Sequence, residues 1–525
     1  MTIAFHQQSP NPQLPTSKAI KGQKYLTNAA LSTSLVAIVT AFIWLSAIES
    51  SSALVNTMNA LVPLYFLLFF SIFGYHILRT DATLIWTPIF LFLAYTALFK
   101  GLGPLVYVFG DSETTAAIEH GLWARTDAEQ LQTNLLNSVA TAVILSVMAL
   151  LLRTQWARRI ALGEPRKHIS DRSVPIATVA IVFLLLGAII RYIFILPYSF
   201  GMTDSVPPGL AMTFGNLIDL GFALIAYLAA TRRGRWMILF WILFPLHAST
   251  LFLEFRKSTV VLALLLPAFT AFLAHGDRKR LSAWLIATLM IYSAMTPIAN
   301  YGRAEIVERG GNNVYSATFV ERLEILHHAL TRDRESIIKN RGGGEQASWL
   351  RLDYSGPMAF AMNSYDRSYT NPTIKDGLWR LVPRAVWPDK PTISGPGRDF
   401  YQLVSGTDRQ ARVGITYYAD AYWNGGWPMV VVVSCLIGLF FAIASAYALR
   451  WIRTKNFVMF PAILLVADFA LRGLNGWVQN GFALIPYLLA YALFIQTLRL
   501  FYIHKVKRNL AADRLSVEPH ANPRP

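Results

Sequence analysis

Twelve apolar blocks, most of them close to twenty residues long, recur along this chain at roughly 27–48, 57–78, 82–103, 134–152, 174–196, 210–231, 236–253, 258–274, 281–300, 427–449, 456–471 and 482–500. A helix of about twenty apolar residues spans the ~30 Å hydrocarbon core of a bilayer. A soluble chain of 525 residues would divide into several domains, each needing a polar surface. Here apolar residues make up 54% and charged residues 15%, with a mean hydropathy of +0.40, so that surface is missing. The pattern predicts an all-α polytopic membrane protein of about twelve transmembrane helices. The single cysteine, Cys435, lies inside an apolar block, which excludes a disulfide scaffold or a thiolate metal site.

The formal charge of +17 is distributed unevenly. Of 47 Lys and Arg residues, 25 fall on one alternating set of connections and on both termini, where only six acids accompany them. By the positive-inside rule those segments face the cytoplasm, placing both termini inside. The excess is therefore a topology signal, and nucleic acid is not an expected partner. The first block is expected to be an uncleaved span, since no small-residue cleavage site follows it. The expected divisions are an N-terminal tail over 1–26, a membrane domain over 27–300, an external cap over 301–426, a second membrane segment over 427–500 and a cytoplasmic tail over 501–525, polar and disordered after residue 508.

The long connection Tyr301–Gly426 holds 16 basic and 14 acidic residues and many aromatic ones, which predicts an ordered cap. Thr318 and Glu321 have capping-box spacing at the start of a helix expected over Phe319–Asn340. Its apolar stripe is Phe319, Leu323, Leu326 and Leu330, with His327 and His328 beside it. Arg341-Gly342-Gly343-Gly344 ends that helix without forming a P-loop, because no Gly-Lys-Ser/Thr follows. Further on, Pro383, Pro388 and Pro391 hold an extended strap that carries Arg384, Trp387 and Lys390. The strap reads either as a rigid connector or as an anion clamp.

Cations are scarce on the remaining outward connections, so the exceptions become candidates. Glu254-Phe255-Arg256-Lys257-Ser258 occupies a tight turn, and Arg472 follows Asp468 by four residues. Arg191 and Asp219 fall inside spans, where an ionisable group is expensive unless paired or watered. The bland alternatives are a snorkelling Arg191 and a structural Asp468–Arg472 pair. Were Arg256, Lys257, Arg384, Lys390 and Arg472 to converge, with Arg303 or Arg398, they would suit a lipid-linked phosphate or pyrophosphate.

The strap Pro383-Arg384-Ala-Val-Trp387-Pro388-Asp-Lys390-Pro391 and the run Asp420-Ala-Tyr422-Trp-Asn424-Gly425-Gly426 resemble segments of the O-antigen or oligosaccharide repeat-unit polymerases (Wzy-type). The span count with one large late loop is similar to that family as well. Phe255-Arg256-Lys257-Ser258 departs from the family's Gly-Ser-Arg turn, and the motif likeness covers only about 381–427. The resemblance implies a GT-C-like fold in the cytoplasmic membrane of a bacterium. It implies a glycosyltransferase that joins polyprenyl-pyrophosphate-linked oligosaccharides at the outer face, needing no cofactor or metal. A chain-length regulator and a flippase are the further partners it implies, besides membrane lipids. Arg256, Arg384 and Lys390 would bind donor pyrophosphate, with Asp420 and Asn424 in the site. Asp420 and Glu254 are the candidate bases for the acceptor hydroxyl, followed by His327 and His328.

Two other readings share parts of this pattern. A ligase moving finished glycan to another acceptor would have the same topology and the same use of arginine. A flippase or secondary transporter would show repeated halves, and no internal repeat is visible. Asp-x-Asp occurs nowhere, which disfavours a metal-dependent nucleotide-sugar transferase.

Overall fold

A computed structural model describes residues 16–47, 53–80, 82–162, 174–203, 205, 207–232, 234–309, 317–331, 349–370, 373–382, 386–387, 395–407 and 413–517. Helices make up all the regular structure among them. Among the described residues nine long helices precede the cap: α1 (Thr16–Ala47), α2 (Ala53–Thr80), α3 (Pro88–Phe109), α4 (Asp127–Arg153), α5 (Ile176–Ser199), α6 (Gly209–Arg232), α7 (Arg235–Leu253), α8 (Lys257–His275) and α9 (Arg278–Glu308). The cap contributes α10 (Phe319–Thr331), α11 (Ser355–Asp366) and α12 (Pro396–Ser405). The chain then returns through α13 (Thr416–Arg453), α14 (Phe460–Leu471) and α15 (Leu484–Val517).

Among the described residues eleven helices are long and apolar enough to cross a membrane. The remaining block, 456–471, gives only the shorter apolar helix Phe457–Leu471. The chain is an all-α, multi-pass membrane protein. Its outward surfaces agree with that: Leu31, Leu35, Ile38 and Phe42 form an exposed apolar ridge on α1, as Ile286, Leu289 and Met290 do on α9. Hydrocarbon covers such ridges at no cost, whereas water would not. Several boundaries differ from expectation. Helix α1 begins within the expected N-terminal tail, α9 continues past Tyr301 to Glu308, and α15 runs to Val517, where a disordered tail was expected. Helix hydrogen bonding does not stop where apolarity stops, so these helices extend beyond their apolar blocks.

The interior has two main apolar clusters. The first joins α1, α2, α3, α4, α11 and α13 around Phe66, Phe70, Phe92, Leu136, Tyr418, Trp423 and Phe441. The second joins α5, α6, α7, α8, α14 and α15 around Phe183, Leu224, Phe240, Phe244, Phe460 and Tyr491. Helices α1 and α4 are antiparallel, tied at one end by Arg153 Nη2 donating to Thr27 Oγ1 at 2.6 Å.

Three local departures position the chemistry. Helices α3 and α5 each contain a π-helical turn, Thr96–Leu102 and Ile190–Ile195, and each turn carries a buried cation, Lys100 or Arg191. Such turns shift side-chain phase within a helix and recur at functional sites. Helix α13 breaks at Gly425 and Gly426, the latter at φ +62°, a left-handed conformation that glycine adopts without strain. Before the break, Thr416 to Trp423 form a fully buried stub. Tyr422 donates to Asp366, which also accepts from Gln132, while Tyr418 lies beside Thr141, about two and a half turns further along α4. The stub therefore enters the bundle beside α4 and runs antiparallel to it.

The cap helix α10 starts where its capping box predicts. Thr318 N donates to Glu321 Oε2 at 2.7 Å, and Glu321 N donates to Thr318 Oγ1 at 3.4 Å. These bonds hold the Glu321 carboxyl below its ordinary pKa. Its buried face differs from expectation: Arg322, Ile325 and Ala329 face inward, while Phe319, Leu323 and Leu330 are exposed. Arg322 decides the orientation. Its guanidinium donates to the carbonyls of Ala317, Leu253 and Ser199 at 3.0, 3.0 and 2.7 Å and covers the rings of Phe200 and Phe255. Three charge-assisted bonds outweigh burial of a few half-exposed apolar side chains. Residues 332–340 of the expected helix, and the Gly-rich joint after it, lie outside the described residues.

Candidate functional site

The turn between α7 and α8 is held under strain. Phe255 has φ +52°, a left-handed conformation that is an outlier for a bulky side chain. Its ring is buried against Tyr301 and Arg322, and a Cβ added at Gly302 would lie 2.8 Å from it. Glycine at 302 is what allows α9 to approach. Pinning Phe255 inward turns its neighbours on either side to fixed places.

Glu254 points into the protein. Its carboxylate pairs with Arg191 Nη2 at 2.5 Å, both side chains being almost fully buried, and lies 4.0 Å from Arg256 Nη1. The π-helical turn of α5 delivers Arg191 to this contact, so Arg191 is a buried ion-pair partner and does not snorkel. Asp219 is buried as well and pairs with His247 Nε2 at 2.9 Å, while His247 Nδ1 meets the Tyr192 hydroxyl at 2.9 Å. Both ionisable residues flagged inside spans thus have partners.

On the other side of the strained turn several cations come together. Lys257, at the start of α8, and Arg303, on α9, reach the same acceptor, the Asn300 Oδ1 atom, at 3.5 and 2.8 Å. Arg351 lies close enough for its charge to act on both. It comes from the turn before α11, which is fastened to the first cluster. There Trp349 Nε1 donates to the Leu102 carbonyl at 2.6 Å, and Asp353 forms a buried ion pair with Arg125. Arg256, the N-terminal cap residue of α8, is exposed over 42% of its side chain and makes no side-chain cap bond there. Four cations and the positive end of a 19-residue helix thus gather at one place. Glu254, the carboxylate beside them, is already paired inward with Arg191. Lysine and arginine forks at a helix N-terminus favour a bound anion, and phosphate oxygens match that geometry. Arg351 is the member that sequence reading missed. Its charged cap context offers no signal, because only folding brings the cap turn to α8 and α9.

The remaining candidates go elsewhere. Asp420 is fully buried in the α13 stub, where Oδ1 accepts from Thr373 Oγ1 at 2.6 Å and from Asn424 Nδ2 at 3.0 Å, and Oδ2 accepts from the Val478 amide at 2.8 Å. Asn424 also receives the Ile374 amide at 3.2 Å. Asp420 and Asn424 therefore clasp the cap segment and the segment before α15 to α13. Asp420 and Glu254, the expected bases, are each enclosed and bonded by protein donors in this arrangement. Arg472 pairs with Asp468 and Arg398 with Asp399 at 3.5 Å. His327 and His328 are exposed on α10. Arg384 and Lys390 lie outside the described residues, and of the strap only Val386 and Trp387 are described, with Trp387 against Trp379 at a ring separation of 4.9 Å. Among the described residues no three His, Cys, Asp or Glu side chains converge as a metal site. Comparison with protein-family models, with curated proteins and with solved structures returns no match.

Proposed function

We propose that the chain is a membrane glycosyltransferase that joins polyprenyl-pyrophosphate-linked oligosaccharide units, with its cap outside the cytoplasmic membrane of a bacterium. The observation that carries the phosphate-binding part is that Lys257 and Arg303 share one neutral acceptor, Asn300, with Arg351 close enough to act on both and Arg256 next to Lys257 at the start of α8. The choice of repeat-unit polymerase rests on the likeness of residues 381–427 to that family. In the reaction, the acceptor hydroxyl oxygen attacks the anomeric carbon of the donor sugar. The bond from that carbon to the phosphate oxygen breaks, and the pyrophosphate leaves with the electron pair. The hydroxyl proton passes to solvent water. Pyrophosphate is a competent leaving group, so the cations supply the main term by stabilising charge on the departing oxygen. Glu254 serves as a positioning residue, holding Arg256 from behind while Arg191 balances its charge.

The test supplies purified protein with lipid-linked repeat units and resolves products by size. A ladder spaced by one unit is expected. Lys257→Ala, Arg303→Ala and Arg351→Ala should each lower the rate about 10–100-fold, the loss of one charge-assisted contact of ~1.5–3 kcal/mol. A ladder indifferent to all three substitutions would remove the cation cluster from the mechanism. Transfer seen only when a second lipid acceptor is added would make the chain a ligase. Folded protein that performs neither reaction would refute the glycosyltransferase reading.

A further inference from the structure

A buried lysine lies in the first helix cluster, apart from the cation site. Lys100 is 1% exposed, and its side-chain nitrogen has no hydrogen-bond partner among the described residues. The π-helical turn of α3 brings it inward between the rings of Tyr95 and Tyr418, 5.5 and 5.3 Å from their centroids. Ring faces attract a cation but offer no lone pair to accept its hydrogens. The carboxylate whose field reaches it, Asp353, is committed to Arg125 and to the Ser355 amide. That pair is neutral as a unit, so Asp353 is not free to pair with Lys100.

The surroundings repeat the deficit. The Tyr95 hydroxyl and Asn137 Oδ1 are buried without partners, and the neighbouring hydroxyls of Tyr418 and Thr141 complete no well-formed hydrogen bond. Buried orphans are rare, and a group of them marks an unseen water or ion. A polar face of α4 leads toward them from the cap. Gln130, Asn134, Asn137 and Thr141 follow one another at helical spacing, and Gln130 Nε2 bonds Ser355 Oγ at 3.3 Å beside the Arg125–Asp353 pair.

We propose that Lys100, Tyr95, Tyr418 and Thr141 form an internal binding site for one small monovalent anion of the halide class. A single anion neutralises the single ammonium and accepts from the hydroxyl groups of Tyr95, Tyr418 and Thr141, which water alone cannot do for the charge. The tight enclosure selects a small ion over a phosphate ester, and the α4 face supplies its polar approach.

The test uses full-length protein in detergent at constant ionic strength, exchanging sodium gluconate for sodium chloride. The unfolding temperature of the wild type should rise by about 2–4 °C and saturate. Lys100→Met should abolish the rise, and Thr141→Val should shift its midpoint to higher chloride. An equal rise in Lys100→Met, or none in the wild type, overturns the proposal. Should Lys100→Met fail to fold, wild-type crystals grown in bromide decide the matter. Anomalous scattering within hydrogen-bond distance of Lys100 Nζ is expected, and a site filled by water alone refutes the anion.

Discussion

Replacing Arg191 with methionine would leave the Glu254 carboxylate buried beside an apolar thioether. At 2.5 Å and an effective dielectric near 20, the direct attraction lost is about 7 kcal/mol, most of it offset in the native protein by the desolvation of both groups. The measurable cost of breaking such a pair is ~3–5 kcal/mol. Arg256, at 4.0 Å and partly exposed, recovers only a small part because water screens it. Converting Glu254 to glutamine in the same protein removes the orphaned charge, so Arg191→Met/Glu254→Gln should recover most of the loss. A double-mutant cycle by equilibrium unfolding in bicelles measures this directly, with an expected coupling of at least ~2 kcal/mol. Additive single effects, with coupling below ~0.5 kcal/mol, would refute the view that the two side chains balance one another inside the protein.

Three other perturbations separate structural from chemical roles. Asp420→Asn should cost ~1–3 kcal/mol, because an amide cannot accept every donor that now meets the carboxylate, yet leave substantial turnover in a size-resolved product assay. Complete loss of turnover in a stable Asp420→Asn protein would return the base role to that residue. Gly302→Ala places a methyl group 2.8 Å from the Phe255 ring, and should destabilise by ~1–3 kcal/mol and lower activity by moving Arg256 and Lys257. Unchanged activity would show that the strained turn does not aim those cations. For Glu321, whose folded pKa is depressed by its capping bonds, the contribution is present above the unfolded carboxyl pKa and fades as pH falls through the lower folded value. Protection factors of the α10 amides should therefore fall with acid in the wild type and depend less on pH in Glu321→Gln; identical profiles would deny the cap any part.

Much of the architecture was legible in the chain because the bilayer is a severe solvent. A stretch of twenty apolar residues has few alternatives to a spanning helix, and eleven of the twelve blocks form helices long enough to cross. The α10 capping box was equally local, since both partners lie within one turn. The orientation of α10 was not, because Arg322 finds its carbonyls on segments far away in sequence, at Leu253 and Ser199. Intramembrane charges likewise announced themselves as costly without naming their partners. Arg191 with Glu254 and Asp219 with His247 meet across helices, so pairing was a matter of packing. Lys100 sat unremarked in an apolar block, since a π-helical turn and two aromatic faces are not written in its immediate neighbours. The sequence by itself determined a multi-pass helical protein and pointed to the cationic turn at 254–258. Only the tertiary structure decided that Arg351 joins Lys257 and Arg303 while Asp420 and Glu254 turn inward. Apolarity is a property of a residue's own chemistry, whereas the burial of a charge and the convergence of like charges depend on how separate helix clusters meet.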